Sequence, residues 1–291
     1  MKYAVLIVLL MTMLCAPPSH ADHPLAGVEA TADDSRVSLT SSKEVISAGD
    51  KVRLEFSLKD KAGRPLPNLA ISHDRILHVM IISSDFSVFS HIHPEDFGPI
   101  SEQMKKDARF GVEYAFPKAG RYLVALDYAA GERAYSKRLF IPVTGTDALG
   151  SIEKNIDRTK KYGAYSVSLK TDADPVVPGK PVKLTYEIMH DNKPVTDIES
   201  YLSAAMHIAI VHADLDNFVH AHGDTPGMNE HAGHAGHGAH PMGHIHGVAQ
   251  KNYGPLIEAQ AVFPIKGLYQ IFGEFMHRGK VIVTRFMIEV R

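Results

Sequence analysis

The chain predicts an all-β fold built as two antiparallel β-sandwiches in tandem, and three observations carry that prediction. Apolar and polar residues alternate with period two: Val52, Leu54, Phe56 and Leu58 interleave with Arg53, Glu55, Ser57 and Lys59, and Val182, Leu184, Tyr186 and Ile188 repeat the pattern. Turn signals such as Ala-Gly-Asp, Ala-Gly-Arg-Pro and Pro-Lys-Ala-Gly break these runs into short segments. The chain also copies itself. Ala48–Leu58 (AGDKVRLEFSL) matches Pro178–Ile188 (PGKPVKLTYEI), Phe116–Tyr128 (FPKAGRYLVALDY) matches Phe263–Phe275 (FPIKGLYQIFGEF), and Lys137–Val143 matches Thr284–Val290.

The elements follow in chain order. Residues 1–21 read as a secretory signal peptide: Lys2, an apolar run from Tyr3 to about Ala16, and small residues Ser19 and Ala21 before the cut. That run is short for a bilayer span, so no membrane span is expected after cleavage. Cys15, the one cysteine, leaves with the leader, so a mature chain has neither disulfides nor thiolate ligands. Localisation is thus expected to be periplasmic or secreted. Residues 22–35 are small and polar and predict a flexible N-terminus. The first sandwich spans 36–144 and the second 165–291, each of about seven short strands. A charged linker, 145–164, joins them and predicts one short helix from Ala148 to about Lys160. The motifs Pro117-x-x-Gly120-x-Tyr122 and Pro264-x-x-Gly267-x-Tyr269 have the form of a tyrosine corner. They refine the class to Ig-like (cupredoxin-like) at the level of architecture.

Composition narrows the function. The 291 residues carry a formal net charge of −2 with no basic cluster interleaved with aromatics, so nucleic acid is not an expected partner. Histidine is the outlier, with 18 residues. Three of them recur at fixed spacing in each copy. His78 stands thirteen residues before His91 and an H-x-H pair closes with His93; His207, His220 and His222 repeat this. An Asp lies seven residues after the first His in each copy (Asp85, Asp214), and Phe89 and Phe218 precede the pairs.

A hairpin centred on Ser84–Ser87 sets His78 opposite His93 and Met80 opposite His91. The three imidazoles and Met80 then share one face. The second copy sets His207 opposite His222 and Ala209 opposite His220. A slip of one residue abolishes either site. Repeated three-His clusters point to a metal ion, with Glu95 and Asp224, two residues past each pair, as a fourth ligand or an outer partner of an imidazole. His73, His190 and His212 lack counterparts in the other copy and read as surface or loop residues. His277 reads as part of a strand connection.

The offset between copies grows from 129 residues at the histidines to 147 downstream, so the second copy carries about eighteen extra residues. They fall in a His-rich loop, 223–250, where His231, His234, His237, His240, His244 and His246 sit among glycines and Pro241. Glycine and proline argue against a helix there. A tether of imidazoles suits loose, exchanging metal sites. Met228 and Met242 add thioethers, so copper is the expected ion, with zinc or nickel next.

On Leu77–Glu95 (LHVMIISSDFSVFSHIHPE) and Phe116–Tyr122 (FPKAGRY), both repeated, the chain resembles YtkA-like, Ig-like bacterial periplasmic domains. It is loosely similar to copper-resistance sandwich proteins. The resemblance implies an envelope protein beside heavy-metal handling.

Three functions follow. The leading one is a metal-binding protein for capture, tolerance or delivery, with an envelope metal exporter or acceptor protein as partner. The second is a mononuclear three-His metalloenzyme, in which an open position activates water; no nucleophile elbow or Cys–His pair accompanies it, and an enzyme is not the expectation. The third is a structural or adaptor envelope protein.

Overall fold

The computed structural model describes residues 28–32, 34–227 and 252–291. The signal peptide and the histidines from His231 to His246 lie outside the described residues. Period-two alternation gives strands throughout. The first module contains β1 (Val28–Ala32), β2 (Ser35–Ser41), β3 (Lys51–Asp60), β4 (Leu69–Ala70), β5 (His78–Ser83), β6 (Phe89–Ile92), β7 (Arg109–Ala115), β8 (Gly120–Ala130) and β9 (Arg133–Val143). The second contains β10 (Thr159–Tyr162), β11 (Tyr165–Thr171), β12 (Pro181–His190), β13 (Lys193–Pro194), β14 (Met206–His212), β15 (Phe218–Gly223), β16 (Leu256–Val262), β17 (Gly267–His277) and β18 (Lys280–Val290).

Each module is a two-sheet antiparallel sandwich. The outer sheets run β1-β2-β3-β7 and β10-β11-β12-β16; the inner sheets run β6-β5-β8-β9 and β15-β14-β17-β18. Both tyrosine corners are present. Tyr122 donates its hydroxyl to the Lys118 carbonyl at 2.9 Å, and Tyr269 donates to the Ile265 carbonyl at 3.0 Å.

Two sequence expectations differ from the structure. Residues 28–32, expected to be flexible, pair with β2 as an edge strand. The linker forms no helix; its end becomes β10, which pairs with β11. Exchanging i→i−4 bonds for a sheet ladder also extends the outer sheet of the second module. The short helix that does form, α1 (Glu102–Asp107), lies in the first module, where the Ser101 hydroxyl caps the Met104 amide at 3.1 Å.

The inner sheets explain why their strands read as unbroken apolar runs. β5 is buried at every position, because one face meets its own module and the other meets the partner module. Val79 and Ile81 enter the first core, and Ile208 and Ile210 the second. The alternate residues Met80, Ile82, Leu123 and Ala125 pack against Ala209, Val211 and Phe272 in a third core between the modules. Phe272 stacks on Phe89 with ring centroids 4.3 Å apart. It is fully buried. Phe272→Ala is expected to cost about 3–5 kcal/mol, as for large aromatic truncations in a core. Urea unfolding measures it, and a loss under about 1 kcal/mol would show that the inter-module core does not hold the modules together.

Candidate metal centre between the modules

Strand parity delivers the histidines to the inter-module face. His78 shares a face with Met80 and Ile82, and His207 with Ala209 and Val211. The hairpins have the register that puts Met80 across from His91, and His207 across from His222 with Ala209 across from His220. The turns are held by Asp85 and Asp214, whose carboxylates accept from the backbone amides of Ser87 (2.9 Å) and Asp216 (2.7 Å). These acids shape hairpins and so are not ligands.

In the first triad the ring nitrogens form a near-equilateral triangle. His78 Nδ1 is 3.1 Å from His91 Nε2, His93 Nε2 is 3.3 Å from His78 Nδ1, and His93 Nε2 is 3.2 Å from His91 Nε2. Each remote nitrogen faces an acceptor. His78 Nε2 lies 3.0 Å from the Ser72 carbonyl, His91 Nδ1 lies 2.7 Å from Glu274 Oε2, and His93 Nδ1 lies 3.2 Å from Asp96 Oδ2. These acceptors assign the ring protons to the remote side. Three lone pairs then converge with no proton among them.

The second triad repeats the ring geometry. Centroid distances and interplanar angles are 5.3 Å and 33° for His78–His91 against 5.4 Å and 39° for His207–His220; 5.0 Å and 85° for His78–His93 against 4.6 Å and 85° for His207–His222; and 4.6 Å and 57° for His91–His93 against 4.6 Å and 56° for His220–His222. His207 Nε2 faces the Leu202 carbonyl at 3.1 Å, and His220 Nδ1 faces Asp127 Oδ2 at 2.7 Å. His222 Nε2, the counterpart of the convergent nitrogen of His93, is buried without a hydrogen-bond partner.

The two triads form one continuous cluster. His78 and His207 are 6.0 Å apart, His78 and His220 5.6 Å, and His91 and His220 5.7 Å, centroid to centroid. The outer partners cross over between modules. Asp127 pairs with His78 on the neighbouring strand of its own module but its carboxylate takes His220; Glu274 pairs with His207 but takes His91. Each module thereby orients one imidazole of the other.

Burial sets the protonation of the cluster. Desolvation, then the charges of His220 and His91, holds His78 well below the usual imidazole range. Desolvation and then His91 push His93 down to about 2. His207 and His222 are held well below the usual range by desolvation first, then by His220 and His73 respectively. These four rings, His78, His93, His207 and His222, are therefore neutral at pH 7, the form that binds metal.

Several expected site residues stand elsewhere. Met80 packs in the inter-module core, because the face it shares with His91 turns apolar one pair along the hairpin. Glu95 accepts from the Ile76 amide at 2.8 Å, and its neighbour Asp96 meets His93 instead, since a turn of 3-10 helix at Pro94–Phe97 rotates the next residue back. Asp224 accepts from the Thr225 amide at 2.7 Å while its backbone bridges to Glu258. His73, expected at the surface, stacks on His222 with centroids 3.7 Å apart at 19°. Its ligand nitrogen lies within 4.8 Å of those of His207 and His222. His277 is buried, meeting the Tyr165 hydroxyl at 2.8 Å and Asp197 at 3.0 Å. Asp127 and Glu274 had a signal in the sequence: both are acids at the same position of a repeated apolar strand. His73 had none, because it enters from the other module's side of the interface.

Comparison with known proteins adds little about activity. No curated protein matches. Among solved structures, the chain is similar to the Escherichia coli adhesin FdeC (10% identity, TM-score 0.26, covering 90% of this chain and 65% of that one). It is similar also to Salmonella alpha-2-macroglobulin (11% identity, TM-score 0.25, 91% of this chain, 15% of that one). A third is latent PorU from Porphyromonas gingivalis (11% identity, TM-score 0.26, 89% of this chain, 20% of that one). Likeness at this level carries no argument about function. The resemblance to YtkA-like and copper-resistance proteins finds no support among these matches. Among the described residues, no helix is long and apolar enough to cross a membrane. One family model matches residues 30–145 and again residues 159–291, so the chain belongs to the family described as Domain of unknown function (DUF8832), as a tandem of two such domains.

Proposed function

We propose that this protein binds metal ions, copper first and zinc or nickel next, in a two-ion centre shared by its modules. The carrying observation is the triangle of ring nitrogens at 3.1, 3.2 and 3.3 Å with every remote nitrogen on an acceptor. A tetrahedral ion about 2.0–2.1 Å from each nitrogen needs nitrogens roughly 3.3 Å apart. The triad is thus already spaced for an ion, and neutral lone pairs at this range repel without one. The orphaned Nε2 of His222 supports the same reading for the second triad. An all-imidazole donor set favours borderline cations, which is the basis for copper over harder ions.

The His-rich tract, whose histidines follow His222 closely in the chain, is proposed to capture ions for the folded centre. A periplasmic or secreted location and an envelope exporter or acceptor protein as partner belong to this same proposal. The first triad also has the form in which zinc activates water, three imidazoles without a fourth. Ester hydrolysis by zinc-loaded protein, abolished by His91→Ala, would favour that enzymatic reading.

The test uses the mature chain with His231, His234, His237, His240, His244 and His246 each replaced by Gln. After dialysis against Cu²⁺ or Zn²⁺, two tightly held ions per chain are expected. His91→Ala and His220→Ala are each expected to weaken one ion by about 10–100-fold or more. No bound ion would sink the proposal and leave the structural or adaptor role.

A further inference from the structure

Each module brings one pair of imidazoles to the interface in the same arrangement. His78 Nδ1 lies 3.1 Å from His91 Nε2, and His207 Nδ1 lies 3.2 Å from His220 Nε2. All four remote nitrogens face acceptors: the carbonyls of Ser72 and Leu202 for His78 and His207, and the carboxylates of Glu274 and Asp127 for His91 and His220. The near nitrogens are thereby left as lone pairs. The four rings come from four strands, β5 and β6 in one module and β14 and β15 in the other.

Together they form a nearly regular tetrahedron. Ring centres are 5.3 and 5.4 Å apart within the pairs. Across the interface they are 6.0 Å apart for His78–His207, 5.6 Å for His78–His220, 5.6 Å for His91–His207 and 5.7 Å for His91–His220. Six edges fix a tetrahedron, and these set the midpoints of the two pairs about 4 Å apart, close to the roughly 3.5–4 Å between the ions of two-metal sites. The nitrogens lie close to the line of centres. Spacing drops from 5.3 Å between centres to 3.1 Å between nitrogens in one pair and from 5.4 to 3.2 Å in the other, the diameter of one imidazole ring.

An ion about 2.0–2.1 Å from both nitrogens of a pair stands within about 1.5 Å of that pair's midpoint. Two ions, one per pair, are then no more than about 7 Å apart, whatever third ligand each takes. That closeness has an electrostatic consequence. Glu274 and Asp127 are the carboxylates on these four rings, and their side chains are 6% and 17% exposed. They offset two of the four charges that two dications bring. Asp96, which faces His93, is 40% exposed and shares its charge with water. Charge held away from water without a counter-charge is costly.

From this geometry we infer that the two ions form one dinuclear pair that holds a single small anion between them, hydroxide at rest and azide as its analogue. The inference rests on the metal-binding reading above. The hydroxide arises when a water bound by the ions gives its proton to solvent, a loss that bound cations favour. One such anion, reached by both ions, lowers the uncompensated charge where no further carboxylate meets the four rings.

The experiment loads the mature chain, its six tract histidines changed to Gln, with two equivalents of Cu²⁺ and measures its copper content first. Electron paramagnetic resonance then reads the spins. The pair is expected to lose most of the signal that two isolated ions give, or, where exchange is weak, to show the half-field line of a coupled pair. Azide, followed by its charge-transfer band to copper, is expected to bind once per chain. His220→Ala, which leaves one pair intact, is expected to restore the full signal of an isolated ion. Two full, uncoupled signals or two azides on a chain that holds two coppers would overturn the dinuclear pair and leave metal binding intact, and neither readout needs a variant to fold. A chain that holds fewer than two coppers would overturn the two-ion reading and the pair with it.

Discussion

Metal loading is expected to stabilise both modules in a single step. With free Cu²⁺ or Zn²⁺ about a thousandfold above its dissociation constant, an ion bound only by the folded state adds about 4 kcal/mol. For two modules that melt as one unit this corresponds to a rise of roughly 8–16 °C in melting temperature. The gain should not fall on one module alone. His91 is oriented by Glu274 and His220 by Asp127, so an ion in either triad pulls on a carboxylate of the other module. The third core, in which Phe272 packs on Phe89, adds an apolar coupling of the same sense. Calorimetry on loaded protein should therefore show one transition, displaced upward. In Asp127→Asn and Glu274→Gln chains the coupling weakens, and the transition is expected to broaden or split. Unchanged melting on adding either ion, or a rise confined to one module, would contradict a shared centre.

Acid is expected to undo the metal-free protein. His78, His207 and His222 are held well below the ordinary imidazole value, and His93 is pushed down to about 2, in each case by burial first. In the unfolded chain the same groups protonate near 6.5. Above that pH they are neutral in both states, and the stability they allow is fully present. As pH falls below about 6.5 the unfolded chain gains protons that the folded chain refuses, so stability drops and continues to drop toward the folded values. Each such group contributes a slope of up to about 1.4 kcal/mol per pH unit. Four acting together would consume an ordinary domain's stability within about two units. Near-ultraviolet circular dichroism of the tyrosines should report the loss between about pH 6.5 and 4.5. His222→Gln, which removes one titrating group, should flatten the profile. Stability that stays level from pH 7 to 5 would show that the cluster is hydrated rather than desolvated. The metal-loaded protein should resist further into acid, because protons must then displace the ion.

Much of this was legible in the chain. Alternation in Val52–Leu58 and Val182–Ile188 determined strands, because a period of two has no other regular structure to serve. The duplication determined two modules. The spacing of His78, His91 and His93 about one turn led to the triads once an even loop centred on Ser84–Ser87 was assumed, and the observed ladder has that register. A slip of one residue would move His78 or His207 to the face away from the paired histidines. The errors were local ones of direction. Glu95 and Asp96 are adjacent, and only the turn after Pro94 decides which carboxylate reaches His93. Met80 lies opposite His91 as its position implied, yet its side chain packs in the core between the modules.

Tertiary structure decided the rest. Nothing in either hairpin says that the two inner sheets pack face to face, because an apolar face is equally satisfied by any apolar partner of matching shape. That packing merges two triads into one cluster, sends Asp127 and Glu274 across the interface, and turns His73 from a loop residue of one module into a neighbour of His207 and His222. Periodicity records which face a side chain takes. It carries no record of what stands opposite that face, and in this protein what stands opposite is the other copy of the same site.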